Sequence, residues 1–467
     1  MEENAAPIQM KKTDYAGLVA PYKEEALETL KKYIAIPSVL DEKTASEKMP
    51  FGKGVDTALA FVADLGKKMG FKVDRCDNYI TELTYGEGKK TLDIYAHSDV
   101  VPVKKENWKH EPFALTLEGN VMYGRGTSDD KGPGLACLYA TKALMDKGRL
   151  GGYKLRFLFG GNEENDSLGL KHYFKSHSYP TLGFSPDANY PLIYAEKSIY
   201  SYTASYPLTL PGVDPFDIGN ALNIVLSEAS VTLHAGEDKI PGMLEKYLSR
   251  HVTSKATFEK GKLSFYGKPY HGSAPWNGVN AGLHLLHFLG KVYGNETLKK
   301  IFLDYDDGMG TAFEGNYSDE TFSESSYNVG RIAYDGKTLT LYVNVRFPAK
   351  MKAEVVLNHV QEFTEAKVTL LGGSDGFVAD PNSDFVKLLL SSYQEETGDK
   401  EAAPLAIGGG TYARESKNSV AFGSQFPGRD YRMHGDDEFF PLSDFYDTMQ
   451  IYAHAIDALS QYLAKKD

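Results

Sequence analysis

Apolar positions along this chain recur at helical spacing in some stretches and in continuous or alternating runs in others. Leu27, Leu30, Tyr33 and Ile34 predict a helix over 22–36 that Pro37 closes. A second helix is predicted over 54–70, with Leu59, Phe61, Val62 and Leu65 as its buried stripe and Gly70 near its end. Short strand-like runs follow at 71–73 and 79–83. The stretch 92–103 opens as Leu-Asp-Ile-Tyr-Ala, a composition suited to a buried strand, and reaches His97-Ser98-Asp99 before Pro102 ends it. Runs at 113–117 and 121–123 flank Glu118-Gly119-Asn120, a hairpin signal. A helix with Leu135, Leu138, Ala140 and Leu144 comes next, then a buried strand over Lys154–Gly160.

The texture changes from about Ile199, where strands lengthen and alternate in polarity. A strand at 230–234, a helix through 243–248 and a strand at Lys262–Tyr266 are followed by an amphipathic helix over 278–293. Strands at 328–333 and Thr338–Phe347 form a hairpin over Tyr334-Asp-Gly-Lys, and a helix at 353–365 and a strand at 367–371 complete the block. The order strand, helix, strand occurs twice, which predicts two related α+β halves. Residues 372–382, rich in Gly, Asp and Pro, read as a return linker. Helices at 385–396 and 445–463, with a short strand at 420–423, restore the first texture. The expected fold is α/β: a mixed, mainly parallel sheet flanked by helices, interrupted by an inserted α+β lid with two similar halves. The expected division is 1–198 and 381–467 for the catalytic domain and 199–380 for the insertion.

Composition narrows the class. A chain of 467 residues has length for roughly three domains. The net charge of −12 argues against a nucleic-acid partner, which would want clustered cations. The two cysteines, Cys76 and Cys137, are too few for a disulfide framework, so a reduced, cytoplasmic setting is expected. The acidic N-terminus lacks the apolar core of a secretory signal, and no apolar run approaches ~18 residues, so no membrane partner is expected.

Chemistry gathers at strand ends. His97 can hold a metal while Asp99, two residues on, fixes its ring. The segment Gly124-Arg-Gly-Thr-Ser-Asp129-Asp130-Lys131-Gly132 matches neither phosphate-loop spacing, since no Ser or Thr follows Lys131, and its paired carboxylates suit a cation instead. Glu163 and Glu164 follow the Lys154–Gly160 strand. Neighbouring residues on extended backbone point opposite ways, so one can ligate a metal while the other faces an attacking water. Asp187 follows another short apolar run. His284 and His287 lie among leucines on an amphipathic helix and read as packing or solvent-exposed residues rather than metal ligands.

Together these motifs resemble the co-catalytic zinc metallopeptidase family of carnosinases, aminoacylases and acetylornithine deacetylase, closest to its bacterial dipeptidase PepV branch. The resemblance rests on His97-x-Asp99-Val-Val-Pro, Gly124-Arg-Gly-x-x-Asp129-Asp130-Lys-Gly-Pro, Asn162-Glu163-Glu164, Ser185-Pro-Asp187-Ala, Gly408-Gly-Gly-Thr-Tyr and Met433-His434, in the family's order over nearly the whole chain. It implies that His97 and Asp187 bind one metal, Glu164 and His434 the other, and that Asp129 bridges them. It assigns Asp99 to orienting His97, Glu163 to general acid/base work, and a cis peptide to Asp129–Asp130. In the insertion it makes His271 the oxyanion-stabilising lid histidine, Arg346 the clamp for a substrate carboxylate, Asn223 a substrate neighbour and Gly410 a backbone donor. Leu226 stands where the family often has proline. The implied cofactors are two divalent cations per chain, zinc first, with manganese or cobalt accepted by the same donors. The expected activity is that of a monomeric dipeptidase acting on small peptides with a free C-terminal carboxylate, Xaa-His types included. A deacylase or desuccinylase of N-acyl amino acids and a non-catalytic metal-dependent binding module are the alternatives.

Overall fold

The computed structural model describes residues 10–234 and 238–465. The chain forms two compact units, the first comprising 1–194, 379–405 and 411–467 and the second 195–378 and 406–410.

The first unit is built on a mixed sheet. Seven of its strands run in the order Lys72–Asp74, Ile80–Tyr85, Lys154–Gly160, Thr91–His97, Leu182–Ser185, Ser419–Ala421 and Ile193–Glu196, and the short strands Phe377–Val378 and Leu405–Ile407 pair with the last. The four central strands are mutually parallel, and antiparallel neighbours border them on both sides. The expectation of a mainly parallel sheet thus describes the centre, while the margins are antiparallel. Thr91–His97 is buried throughout save its first residue, as a strand inside a parallel sheet must be. Its register pairs His97 with Gly160, so both strands release their chains at the same end.

The helix Lys131–Asp146 packs against Thr91–His97 at close range. A Cβ on Gly134 would come within 2.8 Å of the Ala96 Cβ, and one on Gly132 would meet the Thr127 carbonyl oxygen at 2.0 Å. The Gly-Pro-Gly start of this helix is therefore a packing requirement rather than a phosphate cradle. Lys131 donates to the carbonyls of Tyr33 and Ile36, and burial lowers its pKa to about 7. The helix predicted at 54–70 spans Lys53–Met69 and stops at Gly70, whose φ of 93° only glycine adopts freely. The terminal helix runs Leu442–Lys465.

The second unit contains a five-stranded antiparallel sheet, ordered Phe216–Ile218, Ser326–Tyr334, Thr338–Phe347, Ser198–Pro207 and Lys367–Ser374. A separate three-stranded sheet comprises Glu228–Thr232, Lys262–Tyr266 and Lys255–Glu259. Tyr202, Ala204 and Tyr206 of the strand Ser198–Pro207 share one face and enter the core with Leu285, Leu289, Val343 and Val356. The helix predicted at 278–293 begins only at Ala281, because Asn280 caps it by accepting the Leu283 N–H at 3.1 Å.

Two expectations are corrected here. The supposed linker 372–382 begins as strand: Lys367–Ser374 continues through Gly372 and Gly373, which pair with Ser201 and Tyr200. A Cβ on Gly373 would lie 2.5 Å from the Tyr200 ring, so this glycine permits a close strand approach rather than a turn. In the returning segment, residues 406–410 belong to the second unit. The Ile407 carbonyl accepts the Lys197 N–H at 3.0 Å, and the Gly408 carbonyl accepts from Arg346 at 2.6 Å. No helix among the described residues is long and apolar enough to cross a membrane.

Candidate active site

Each residue of the first unit that the sequence singled out arrives from the carboxyl end of a central strand or from a loop, Asp129 just before the helix Lys131–Asp146 and His434 before the strand Phe439–Pro441. His97 closes its strand and is 1% exposed. Its Nδ1–H donates to the backbone carbonyl of Asp99 at 2.9 Å, which leaves Nε2 as the lone-pair nitrogen. Nε2 lies 3.0 Å from Asp129 Oδ1 and 3.5 Å from Asp187 Oδ2. His434 Nε2 lies 2.8 Å from Asp129 Oδ2 and 3.0 Å from Glu164 Oε2. The two oxygens of Asp129 therefore face two different imidazoles. The ligand-capable atoms of His97, Asp129 and Glu164 fall within 4.8 Å of one another, as do those of His97, Glu163 and Asp187. The Asp129–Asp130 peptide is cis.

Asp99 does more than face a ring. Its carboxylate is 3.6 Å from His97 Nδ1, while its two oxygens accept the N–H groups of Glu163 and Glu164 at 3.1 and 3.2 Å. The expected opposition of Glu163 and Glu164 does not occur. The strand ends at Gly160, Asn162 adopts a φ of 71°, and the acidic pair sits on a turn. Strand alternation no longer applies there, and both carboxyls approach the cluster.

The electrostatics are those of a site short of positive charge. Burial pushes Glu163 well above the usual carboxyl range, and the Asp187, Glu164 and Asp129 charges push it further. Glu164 rises to about 7, through burial first and then Asp129. Asp187 is raised by burial and by Asp129. Burial acts against protonation of His97, and partial desolvation acts against that of the half-exposed His434, yet the surrounding carboxylates hold both above the ordinary imidazole range. Asp129 stays low despite burial because both imidazoles flank it. Buried carboxylates at this density require cations. The donor set, two imidazole nitrogens with several carboxylate oxygens, fits a borderline divalent cation such as zinc.

Sequence reasoning missed the supports. Glu438 is fully buried and accepts the N–H groups of Gly126, Ser128 and Asp129, the Ser128 hydroxyl, and Arg125 Nη1 at 2.7 Å. Arg125 Nη2 in turn reaches the carbonyls of His434 and Gly435 at 3.4 and 3.1 Å. The pair ties the loop carrying Asp129 to the loop carrying His434. Tyr412, from the Gly-Gly-Gly-Thr-Tyr motif, donates to the Gly161 carbonyl at 3.2 Å and sets its ring edge-on to His97. Asp130 is no member of the cluster's donor set: its Oδ2 accepts the His97 backbone N–H at 3.0 Å.

The second unit holds the remaining singled-out residues. The Asn223 carbonyl accepts the Gly272 N–H at 2.7 Å, and Ile224 bridges to His271, so Asn223 and His271 lie on adjoining segments. His271 Nδ1 is 2.7 Å from Ser273 Oγ. Leu226 takes up space beside Gly219 and Gly282, which no proline would fill in the same way. Arg346 is buried, with Nε donating to Asn344 Oδ1 at 3.1 Å and Nη1 to the Gly408 carbonyl. Gly410 is exposed at the end of the 406–410 segment.

The model of the family described as Peptidase family M20/M25/M40 matches residues 94–458, a span that contains every residue of the cluster. The chain belongs to this family. It is accordingly an M20-type metallopeptidase, a hydrolase that depends on metal. It is 31% identical over 455 residues to the "Putative dipeptidase YtjP" of Bacillus subtilis (strain 168), covering 94% of this chain and 98% of that protein. A similar relative, "Putative dipeptidase SH1171" of Staphylococcus haemolyticus, is 31% identical over 466 residues, again covering 94% and 98%. Among solved structures, human carnosine dipeptidase 1 aligns with a TM-score of 0.59 at 14% identity, covering 96% of this chain and 98% of that one. Dug1p of Saccharomyces cerevisiae aligns with a TM-score of 0.57 at 17% identity and the same coverage. These two likenesses establish the α/β fold with its second α+β unit.

Proposed function

We propose that this metallopeptidase hydrolyses dipeptides with a free C-terminal carboxylate, in the PepV-like manner and with Xaa-His substrates in its range. The observation that carries the reading is Asp129, whose two oxygens separately face His97 and His434 in a buried acidic cluster. The relatives bearing dipeptidase names, matched over nearly their whole length, support the substrate class.

In this reading His97 and Asp187 hold one divalent cation, Glu164 and His434 a second, and Asp129 serves both, with zinc the first choice. When bound, such cations supply Lewis acidity for the scissile carbonyl and for water. Glu163 does the proton work: its carboxylate oxygen takes a proton from the attacking water and delivers it to the leaving amine nitrogen. Asp99 positions that base by gripping the Glu163 and Glu164 N–H groups. Arg346 takes the substrate carboxylate through its planar fork. His271 donates to the oxyanion that develops on the scissile carbonyl, and Asn223 and the Gly410 N–H lie against the substrate.

Turnover of free dipeptides, C-terminally amidated dipeptides and N-acyl amino acids, measured side by side on metal-loaded enzyme, tests the proposal. Free dipeptides are expected to be cleaved fastest. Turnover confined to N-acyl amino acids would replace the proposal with a deacylase, and equal use of amidated dipeptides would remove the carboxylate requirement.

A further inference from the structure

A second group of metal-ligating side chains lies in the first unit and shares no residue with the cluster just described. Cys76 Sγ, a Glu82 carboxylate oxygen and a His177 ring nitrogen all fall within 4.8 Å of one another. They come from three separate places: the loop after Lys72–Asp74, the strand Ile80–Tyr85, and the chain just beyond the helix Leu168–Tyr173. We infer that Cys76, Glu82 and His177 form an additional metal site, selective for a thiophilic divalent cation of the zinc class.

The surroundings are arranged as such a site needs. Tyr173 Oη donates to Glu82 Oε2 at 2.5 Å and Thr84 Oγ1 donates to Glu82 Oε1 at 2.6 Å, which fixes the carboxylate. His177 stacks on Tyr173 with ring centroids 4.0 Å apart, and its Nδ1 lies 3.0 Å from the Tyr173 carbonyl, so an Nδ1–H donated there leaves Nε2 as the lone-pair nitrogen. Asp74 Oδ1 accepts the Cys76 N–H at 2.9 Å and holds the loop that presents the thiol. Metal binding at Cys76 displaces the thiol proton, so affinity at this site rises with pH. One sulfur, one nitrogen and one oxygen donor leave a fourth position for water, a tetrahedral zinc arrangement. The sulfur also discriminates: manganese and magnesium prefer oxygen-rich sites.

Cobalt(II) reads this site apart from the catalytic one. A sulfur-to-cobalt charge-transfer band in the near ultraviolet requires a cysteine ligand, and the catalytic cluster holds none among the described residues. Purified protein titrated with cobalt should develop the band, with a final intensity that corresponds to one cysteine ligand per chain. Cys76→Ser should abolish it, Cys137→Ser should leave it intact, and His177→Ala, at an exposed position, should weaken the affinity by at least ~10-fold. Dipeptide turnover with saturating manganese should be unchanged in Cys76→Ser. Absence of the band in the unmodified protein, or its persistence in Cys76→Ser, would overturn the assignment whatever the peptidase assays show.

Discussion

Replacing Glu438 separates the proposed metal chemistry from the scaffold that holds it. Glu438 is fully buried, and its carboxylate accepts from three backbone N–H groups, one hydroxyl and Arg125. Glu438→Ala leaves the Arg125 guanidinium, 2% exposed, without its counter-charge. Breaking a buried pair by removing one partner costs about 3–5 kcal/mol. At roughly 2 °C per kcal/mol for a unit of this size, the melting temperature should fall by about 6–10 °C. Glu438→Gln keeps the shape but sets an amide against Arg125 or the loop N–H groups, and should cost about 1.5–3 kcal/mol, the scale of hydrogen bonds to a charged group. The double change Arg125→Met with Glu438→Leu should cost less than Glu438→Leu alone, since it orphans no charge. The same pair anchors the segments bearing Asp129 and His434, so Glu438→Ala should also weaken metal binding by ~10–100-fold. Thermal melting with metal in excess and with metal chelated, alongside metal titration, measures both effects. A Glu438→Ala protein that melts within about 1 °C of the parent and keeps its metal affinity would refute the reasoning, since a lost buried charge pair cannot cost so little.

Glu163→Gln should keep its metal and its melting temperature while kcat falls by ~10²–10⁴-fold, whereas Glu164→Gln should lose metal first and recover activity in excess metal. Asp129→Ala should lower metal content at both positions and Asp187→Ala mainly at one, read as metal per chain on purified variants. Arg346→Ala should weaken use of free-carboxylate dipeptides by roughly 2–5 kcal/mol in kcat/KM and leave amidated ones nearly unchanged. His284 and His287 are buried beside Tyr247, and burial lowers both to about 4 from an ordinary 6.5. The unfolded chain then binds protons first, so stability of the second unit should fall as pH drops from 6.5 towards 4, by up to roughly 3 kcal/mol per histidine. The curve should flatten in the His284→Gln/His287→Gln variant, and identical pH profiles for the two proteins would remove this linkage.

Much of the fold is legible in the chain because it depends on local pattern. Lys154–Gly160, Lys262–Tyr266 and Thr338–Phe347 have the bounds their apolar runs predict. Helix ends shift by a few residues where a cap decides, as Asn280 does for Ala281–Val292. The helix Glu296–Tyr305, capped by Asn295, went unanticipated because it follows the preceding helix after only a short break. Glycine-rich 372–373 misled because glycine serves a turn and a close strand approach equally well, and only the facing Tyr200 decides between them.

The candidate site divides along the same line. His97, Asp129, Glu164, Asp187 and His434 each stand at a strand end or in a loop whose motif is visible on its own. A sheet with a parallel centre delivers His97, the acidic turn and Asp187 to one end without any further specification. What holds them is not local. Arg125 and Glu438 are 313 residues apart, and neither sits in a pattern that names the other. Asp99 gives the sharpest case. Its spacing from His97 announces a ring-orienting carboxylate, yet the ring takes the backbone carbonyl and the carboxylate takes two N–H groups from the acidic turn. Sequence spacing can place two groups on one side of a strand. It cannot say which atom of each group does the holding once the chain has turned, because that depends on donors supplied by a segment 64 residues away. A carboxamide at position 99 would keep the His97 contact, which is backbone, while offering the turn one acceptor oxygen instead of two. Asp99→Asn should therefore disturb Glu163 and Glu164 before it disturbs His97.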